Sequence, residues 1–158
     1  MRWYKRSVVF AFGLFIEVII ATISCLLIKE NHEWLASLTL PYFAPRSFLL
    51  YGVIMETVYL SSSASLALYT AERHDLILGG SLTLLEGISE IVTLLFFFKF
   101  TFEITAFFLA TVTMVISIIN TVLFLAKKDA AGIVRLPALA ATIYLWAVIY
   151  CILMINFA

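Results

Sequence analysis

"WLASLTLPYFAPRSFLLYG", residues 34–52, is the stretch on which the reading of this chain turns. It joins two long apolar runs and carries two of the three prolines, Pro41 and Pro45. A proline fixes its own φ and biases the residue before it toward extended geometry. Leu40 and Ala44 are therefore expected to be extended, and the link cannot be helical throughout. Trp34, Tyr42 and Phe43 add rings of the kind favoured at a membrane–water interface. Arg46 would end the stretch at headgroup level. Such a link reads either as a stiff aromatic lid or as a simple interfacial turn.

The composition on both sides of the link sets the class. The 158 residues are 64% hydrophobic and 13% charged, and the mean hydropathy is +1.10. A soluble domain is about 45–50% apolar and about 25% charged. So small a chain cannot hide the excess in a core, so part of its solvent must be lipid. Ten basic and ten acidic residues cancel to a net charge of zero, which argues against a nucleic-acid partner.

A membrane-spanning helix needs about 20 mostly apolar residues. Five such spans are predicted, at about Ser7–Ile28, Ser47–Tyr69, Leu76–Phe98, Ile104–Ala126 and Leu136–Ala158. No barrel-type alternation is present, and helices satisfy their own backbone in lipid. The expected fold class is thus an all-α membrane protein, a single five-helix transmembrane bundle over residues 1–158. Arg2, Lys5 and Arg6 before the first run resemble a signal peptide. Glu17 interrupts that run and no small-residue cleavage site follows, so a retained first helix is expected.

Lys and Arg in the links predict orientation. One side collects Arg2, Lys5, Arg6, Arg73, Lys127, Lys128 and Arg135, and the other has Lys29, Arg46 and Lys99. The positive-inside rule then puts the N-terminus in the cytoplasm and the proline-rich link outside, in a multi-pass protein of the bacterial cell membrane.

Ordinary catalytic constellations are missing from the sequence. His32 and His74 fall in links on opposite faces, which removes a His-based metal site and a Ser-His-Asp arrangement. Cys25 and Cys151 form no CxxC pair and read as small apolar filler. Gly79-Gly80 reads as close helix packing. "SSSASLA", residues 61–67, places small residues four apart, which favours helix contact in lipid or a dimer face. No enzyme activity, cofactor or metal is expected.

Four carboxylates carry the sharpest local signal. Glu17, Glu56, Glu86 and Glu90 lie well inside predicted spans, where a charge costs about 2.5–3.5 kcal/mol on insertion scales. No Lys or Arg lies inside any predicted span, so no intramembrane ion pair is expected. Each Glu must be protonated, face a wet cavity, hydrogen-bond to a neighbour or hold a cation. Glu86 and Glu90, four apart, share one helical face and could share a proton.

The pattern W-x6-P-x-F-x-P-R at Trp34, Pro41, Phe43, Pro45 and Arg46 resembles the TspO/MBR family, the tryptophan-rich sensory proteins or translocator protein group. That family reads W-x6-P-x-W-x-P-P between its first two helices, then G-x-x-W-x-x-x-Y. Gly52, Met55 and Tyr59 keep the second spacing, with Met in place of Trp. "FFLATVTMVISIINTVLFLAKK" (107–128) and "RLPALAATIYLWAVIYCILMIN" (135–156) resemble the family's fourth and fifth helices. The resemblance implies a homodimeric five-helix bundle with a cavity beneath the first link. The ligand it implies is a hydrophobic planar molecule: a porphyrin, a sterol-like compound or a lipid. Trp34, Pro41, Phe43, Pro45, Met55, Tyr59, Tyr144, Trp146 and Tyr150 are the expected ligand contacts. Light-driven porphyrin breakdown, attributed to some members, depends on tryptophans that are missing here.

Three functions follow as expectations. The chain is a receptor or carrier for a hydrophobic planar ligand, a small proton- or cation-coupled transporter using the buried glutamates, or an assembly subunit for a larger partner.

Overall fold

The computed structural model describes residues 2–157. Its elements are α1 (Arg2–Glu30), α2 (His32–Ser37), α3 (Phe48–Tyr69), α4 (Arg73–Leu94), α5 (Glu103–Lys127) and α6 (Asp129–Phe157), and a π-helical turn at Leu95–Lys99 continues α4. No strand occurs among the described residues. Four helices are long and apolar enough to cross a membrane: α1, α4 with its π turn, α5 and α6. The chain is all-α with the character of a multi-pass membrane protein. The fifth long helix, α3, is less uniformly apolar because Glu56 and a run of serines interrupt it.

The long helices form a ring. α1 packs on α3, α3 on α6, α6 on α5 and α5 on α4, and a thinner α4–α1 seam closes the ring. The inward faces follow from spacing. In α5 the buried residues include Ala106, Ala110, Thr113, Ser117, Asn120 and Phe124, steps of three or four that stack on one side. Most of these are small or polar. Large aliphatic and aromatic side chains such as Phe12, Val53, Leu84, Phe108, Val122 and Ile133 stay exposed. In lipid an aliphatic side chain gains little by leaving the surface, whereas small residues and hydroxyls allow close contact and interhelical hydrogen bonds.

The serine run packs inside the bundle. Ser63 and Ser65 are fully or almost fully buried, and Ser61 donates to the Val134 carbonyl at 2.5 Å. It is therefore not an exposed dimer face. Gly79 also meets the packing expectation, because a Cβ there would come within 2.8 Å of the Tyr69 ring.

The last predicted span needs correcting. Leu136–Ala158 was expected with Pro137 at its start; α6 begins at Asp129, and Pro137 lies inside it. Ala158 lies outside the described residues. A proline within a helix disrupts the carbonyl pairing of the preceding turn, and a neighbouring hydroxyl can satisfy what is freed. Pro137 leaves the Ile133 carbonyl without its helical donor, and Ser61 of α3 donates to the next carbonyl, that of Val134. Consequently the link after α5 shrinks to Lys128, which separates the two helices. Gly132 makes the tight return possible, since a Cβ there would lie 2.7 Å from the Leu125 Cα. Arg135 is no link residue at all. It is a helical residue with no exposed surface.

The proline-rich link is non-helical from Leu38 to the N-cap Ser47, as expected. Pro41, Ala44 and Pro45 are buried, and Ala44 N–H donates to the Pro41 carbonyl at 3.0 Å. Three hydrogen bonds fasten the link to α6. Thr39 N–H donates to Asn156 Oδ1 at 2.8 Å, Asn156 Nδ2 donates to the Thr39 carbonyl at 2.9 Å, and the Tyr144 hydroxyl donates to the Phe43 carbonyl at 2.6 Å.

Candidate functional site

A cavity of about 50 Å³ sits at the end of the bundle nearest the link. Its walls come from every long helix and the π turn. Ile28, Met55, Phe97, Ala110, Leu145 and Trp146 give an apolar lining, and Glu90, Thr93, Thr113 and Thr142 supply the polar groups. The hydroxyls of Ser89 and Thr113 lie 2.6 Å apart, and Thr93 donates to the Ser89 carbonyl at 2.8 Å. This volume holds a few water molecules, against roughly 300–1,000 Å³ for a typical ligand pocket.

The expected ligand contacts fall into three places. Met55 and Trp146 line the cavity itself. Trp34 stands one layer above it, packed edge-on against Phe97 and Phe98 with ring centroids at 5.2 and 6.1 Å. Pro41, Phe43 and Pro45 belong to the link, with Phe43 against Tyr144 at 6.4 Å. Tyr59 and Tyr150 point elsewhere. The Tyr59 hydroxyl meets Ser24 at 3.5 Å, and Tyr150 stacks on Trp146 at 5.8 Å with its ring partly exposed. Only two of the nine residues line the cavity, and Pro45 lines a separate groove with Leu40 and Arg46, so the nine do not form one continuous surface.

The four carboxylates also separate. Glu86 is buried and forms an ion pair with Arg135 through Oε2 and Nη2. Asn120 Nδ2 donates to the same oxygen at 3.1 Å, and Thr83 lies within 3.4 Å of that amide. The expectation of no intramembrane ion pair is therefore wrong. The predicted fifth span begins at Leu136 and leaves Arg135 in the link before it, whereas α6 starts six residues earlier than Arg135 and takes it inside. Glu90 lines the cavity, and Glu17 is buried on α1, facing α4. Glu56 is exposed on the outer side of α3, in a groove shared with α1, and does not join the buried set. Its neighbours Met55 and Val58 take the inward positions of that turn instead.

Around the ion pair several buried polar atoms lack partners: Glu86 Oε1, Asn120 Oδ1, and Arg135 Nε and Nη1. Such groups are costly unless water or a ligand reaches them. Thr113, Ser117, Asn120 and Thr121 are a polar stripe on α5 that their spacing makes legible in the sequence. Arg135 had a weaker signal, its position three and four residues from the small residues Gly132, Ala131 and Ala138 on the same helical face.

The opposite end of the bundle is charged and peripheral. Asp75 pairs with Lys127 at 2.5 Å and with His74 Nε2 at 3.3 Å, and Lys128 donates to the Tyr69 carbonyl at 2.6 Å. Desolvation pushes the Lys128 ammonium below the usual lysine range, against the opposing pull of Asp75. In comparison with known proteins, the chain matches no protein-family model, and no curated protein is similar to it at a significant level.

Proposed function

We propose that this chain is a five-span membrane protein of TspO/MBR type that binds a hydrophobic small molecule in the cavity beneath its first link. One observation carries the reading: the cavity is apolar, receives walls from all five long helices, and lies at the bundle end where the link is fastened to α6. α3 counts as the fifth span because both of its flanks are bundle neighbours, α1 and α6. The three hydrogen bonds from the link to α6 explain why the link is stiff: they hold a roof in place. At about 50 Å³ the cavity is too small for such a ligand as it stands. A planar molecule of tetrapyrrole or sterol size requires the link to lift and Trp146 and Phe97 to turn aside.

Orientation follows the basic residues. With Arg135 withdrawn into α6, the N-terminal side keeps Arg2, Lys5, Arg6, Arg73, Lys127 and Lys128, against Lys29, Arg46 and Lys99 on the other. The balance still favours a cytoplasmic N-terminus in a cell membrane. The family resemblance adds a homodimer.

Trp146 reports on binding because it lines the cavity. A ligand panel of porphyrins, sterols and cationic amphiphiles should include a compound that quenches its fluorescence saturably. Ala110→Val fills the void with two methyl groups and should abolish that quenching while the fold is retained. Saturable quenching that persists unchanged in Ala110→Val would remove the reading, as would a panel that never quenches.

A second reading, proton- or cation-coupled transport, is favoured by charge. Glu17, Glu86 and Glu90 share the interior with one guanidinium, that of Arg135. It expects pH-driven flux in proteoliposomes that is lost in Glu90→Gln; flux equal to wild type would dismiss it.

A further inference from the structure

The seam where α1 meets α4 is the thinnest in the ring, and it opens on one side of a close crossing. At the crossing, Gly87 faces Ile20, and a Cβ on Gly87 would lie 2.6 Å from the Ile20 Cδ1. Toward the N-terminal ends of both helices the backbones separate. A groove of about 480 Å³ runs there, with Phe12, Gly13, Ile16, Ile77, Gly80 and Leu84 among its walls. That volume falls within the roughly 300–1,000 Å³ range of small-molecule sites. Phe12, Ile77 and Leu84 are 66%, 61% and 47% exposed, so the groove faces sideways, toward lipid. Gly80 leaves room in it, since a Cβ there would meet nothing within 4 Å.

Glu17 lines this groove one helical turn before Ile20. It is only 5% exposed and lines the groove, and no described group donates a hydrogen bond to it. Among the described residues the one interior guanidinium, that of Arg135, is bonded to Glu86 instead. Arg135 retains two unbonded nitrogens, but neither reaches a described acceptor. Within these apolar walls the Glu17 carboxyl has no hydrogen-bonded partner, and the Arg135 guanidinium acts on it only from a distance. The walls select what can supply one. An inorganic cation holds its water too tightly to cross an aliphatic portal, whereas a cation carried on an apolar body partitions into the bilayer and reaches the groove from the side.

We propose that the α1–α4 groove is a binding site for a lipophilic cation, whose charge pairs with the Glu17 carboxylate and whose apolar body fills the space beside Gly13 and Gly80. The site needs the bilayer placement proposed above but not the cavity beneath the link.

The full chain in phosphatidylcholine nanodiscs tests it, with tetraphenylphosphonium as probe and tetraphenylborate as the anion of the same shape. Wild type should bind the phosphonium saturably and the borate not at all. Glu17→Gln should weaken phosphonium binding by at least about tenfold. Gly80→Phe, which fills open space without touching the carboxylate, should abolish it. Ala110→Val should leave it unchanged, which separates this site from the cavity. The proposal is overturned if no saturable binding occurs, if the borate binds as well as the phosphonium, or if Gly80→Phe binds as wild type does. Loss in Ala110→Val equal to that in Gly80→Phe would also overturn it, by moving the ligand to the cavity.

Discussion

Arg135 is the residue on which the interior depends. Its guanidinium meets Glu86 with no exposed surface, and Asn120 supports the same carboxylate oxygen. Removing one partner of a buried pair strands the other charge, at a typical cost of about 3–5 kcal/mol, whereas removing both is often far milder. Arg135→Met should therefore lower stability in detergent by about that amount. The double change Glu86→Leu with Arg135→Met should recover much of the loss. Denaturant unfolding of the three variants checks this, and a double variant as unstable as Arg135→Met alone would contradict it. At this scale the sequence was half legible. A carboxylate at Glu86 announces itself, because nothing apolar explains it in the middle of a span. Arg135 does not, because two lysines shortly before it and a proline two residues after it imitate a basic link. Its partner lies on another helix, Glu86 of α4, and no local pattern reveals it.

The link and α6 form the next level. The link was legible as stiff because Pro41 and Pro45 constrain the backbone directly. Its fastening was not, since Asn156 lies 117 residues from Thr39 and nothing local marks that partner. Asn156 holds both the Thr39 N–H and the Thr39 carbonyl. Asn156→Ala removes both bonds, worth about 0.5–1.5 kcal/mol each, and should speed amide exchange through residues 38–46 with little effect on α5. Hydrogen exchange read by mass spectrometry would show it. Equal protection in the variant would mean that the roof is held by packing of Pro41 and Pro45 alone. Five long helices stand where five spans are predicted, four of them long and apolar enough to cross a membrane, and their ends were less legible. Small and polar residues at steps of three or four on α5 specify an inward face. Helix starts are weaker signals, and α6 begins seven residues before the predicted Leu136.

Across the whole molecule, polarity is inverted relative to a soluble domain. Ser63, Ser65, Ser117, Asn120 and Arg135 are buried while Phe12, Ile77 and Phe108 are exposed. That inversion was legible from composition alone, since so apolar a chain has too few polar residues to cover itself. The relation between cavity, ion pair and α1–α4 groove was not, because it depends on which helices become neighbours in the ring. Five crossings underlie both proposed sites: only then do the link and the end of α6 share one face of the membrane while the N-terminus lies on the other. Single cysteines at Tyr4 or Phe157, in a Cys25→Ala, Cys151→Ala background, test this with a membrane-impermeant thiol reagent on sealed, right-side-out vesicles. The expected result is labelling of Phe157→Cys from outside and of Tyr4→Cys only after permeabilisation. Labelling of both cysteines from the same side would contradict the five-span bundle.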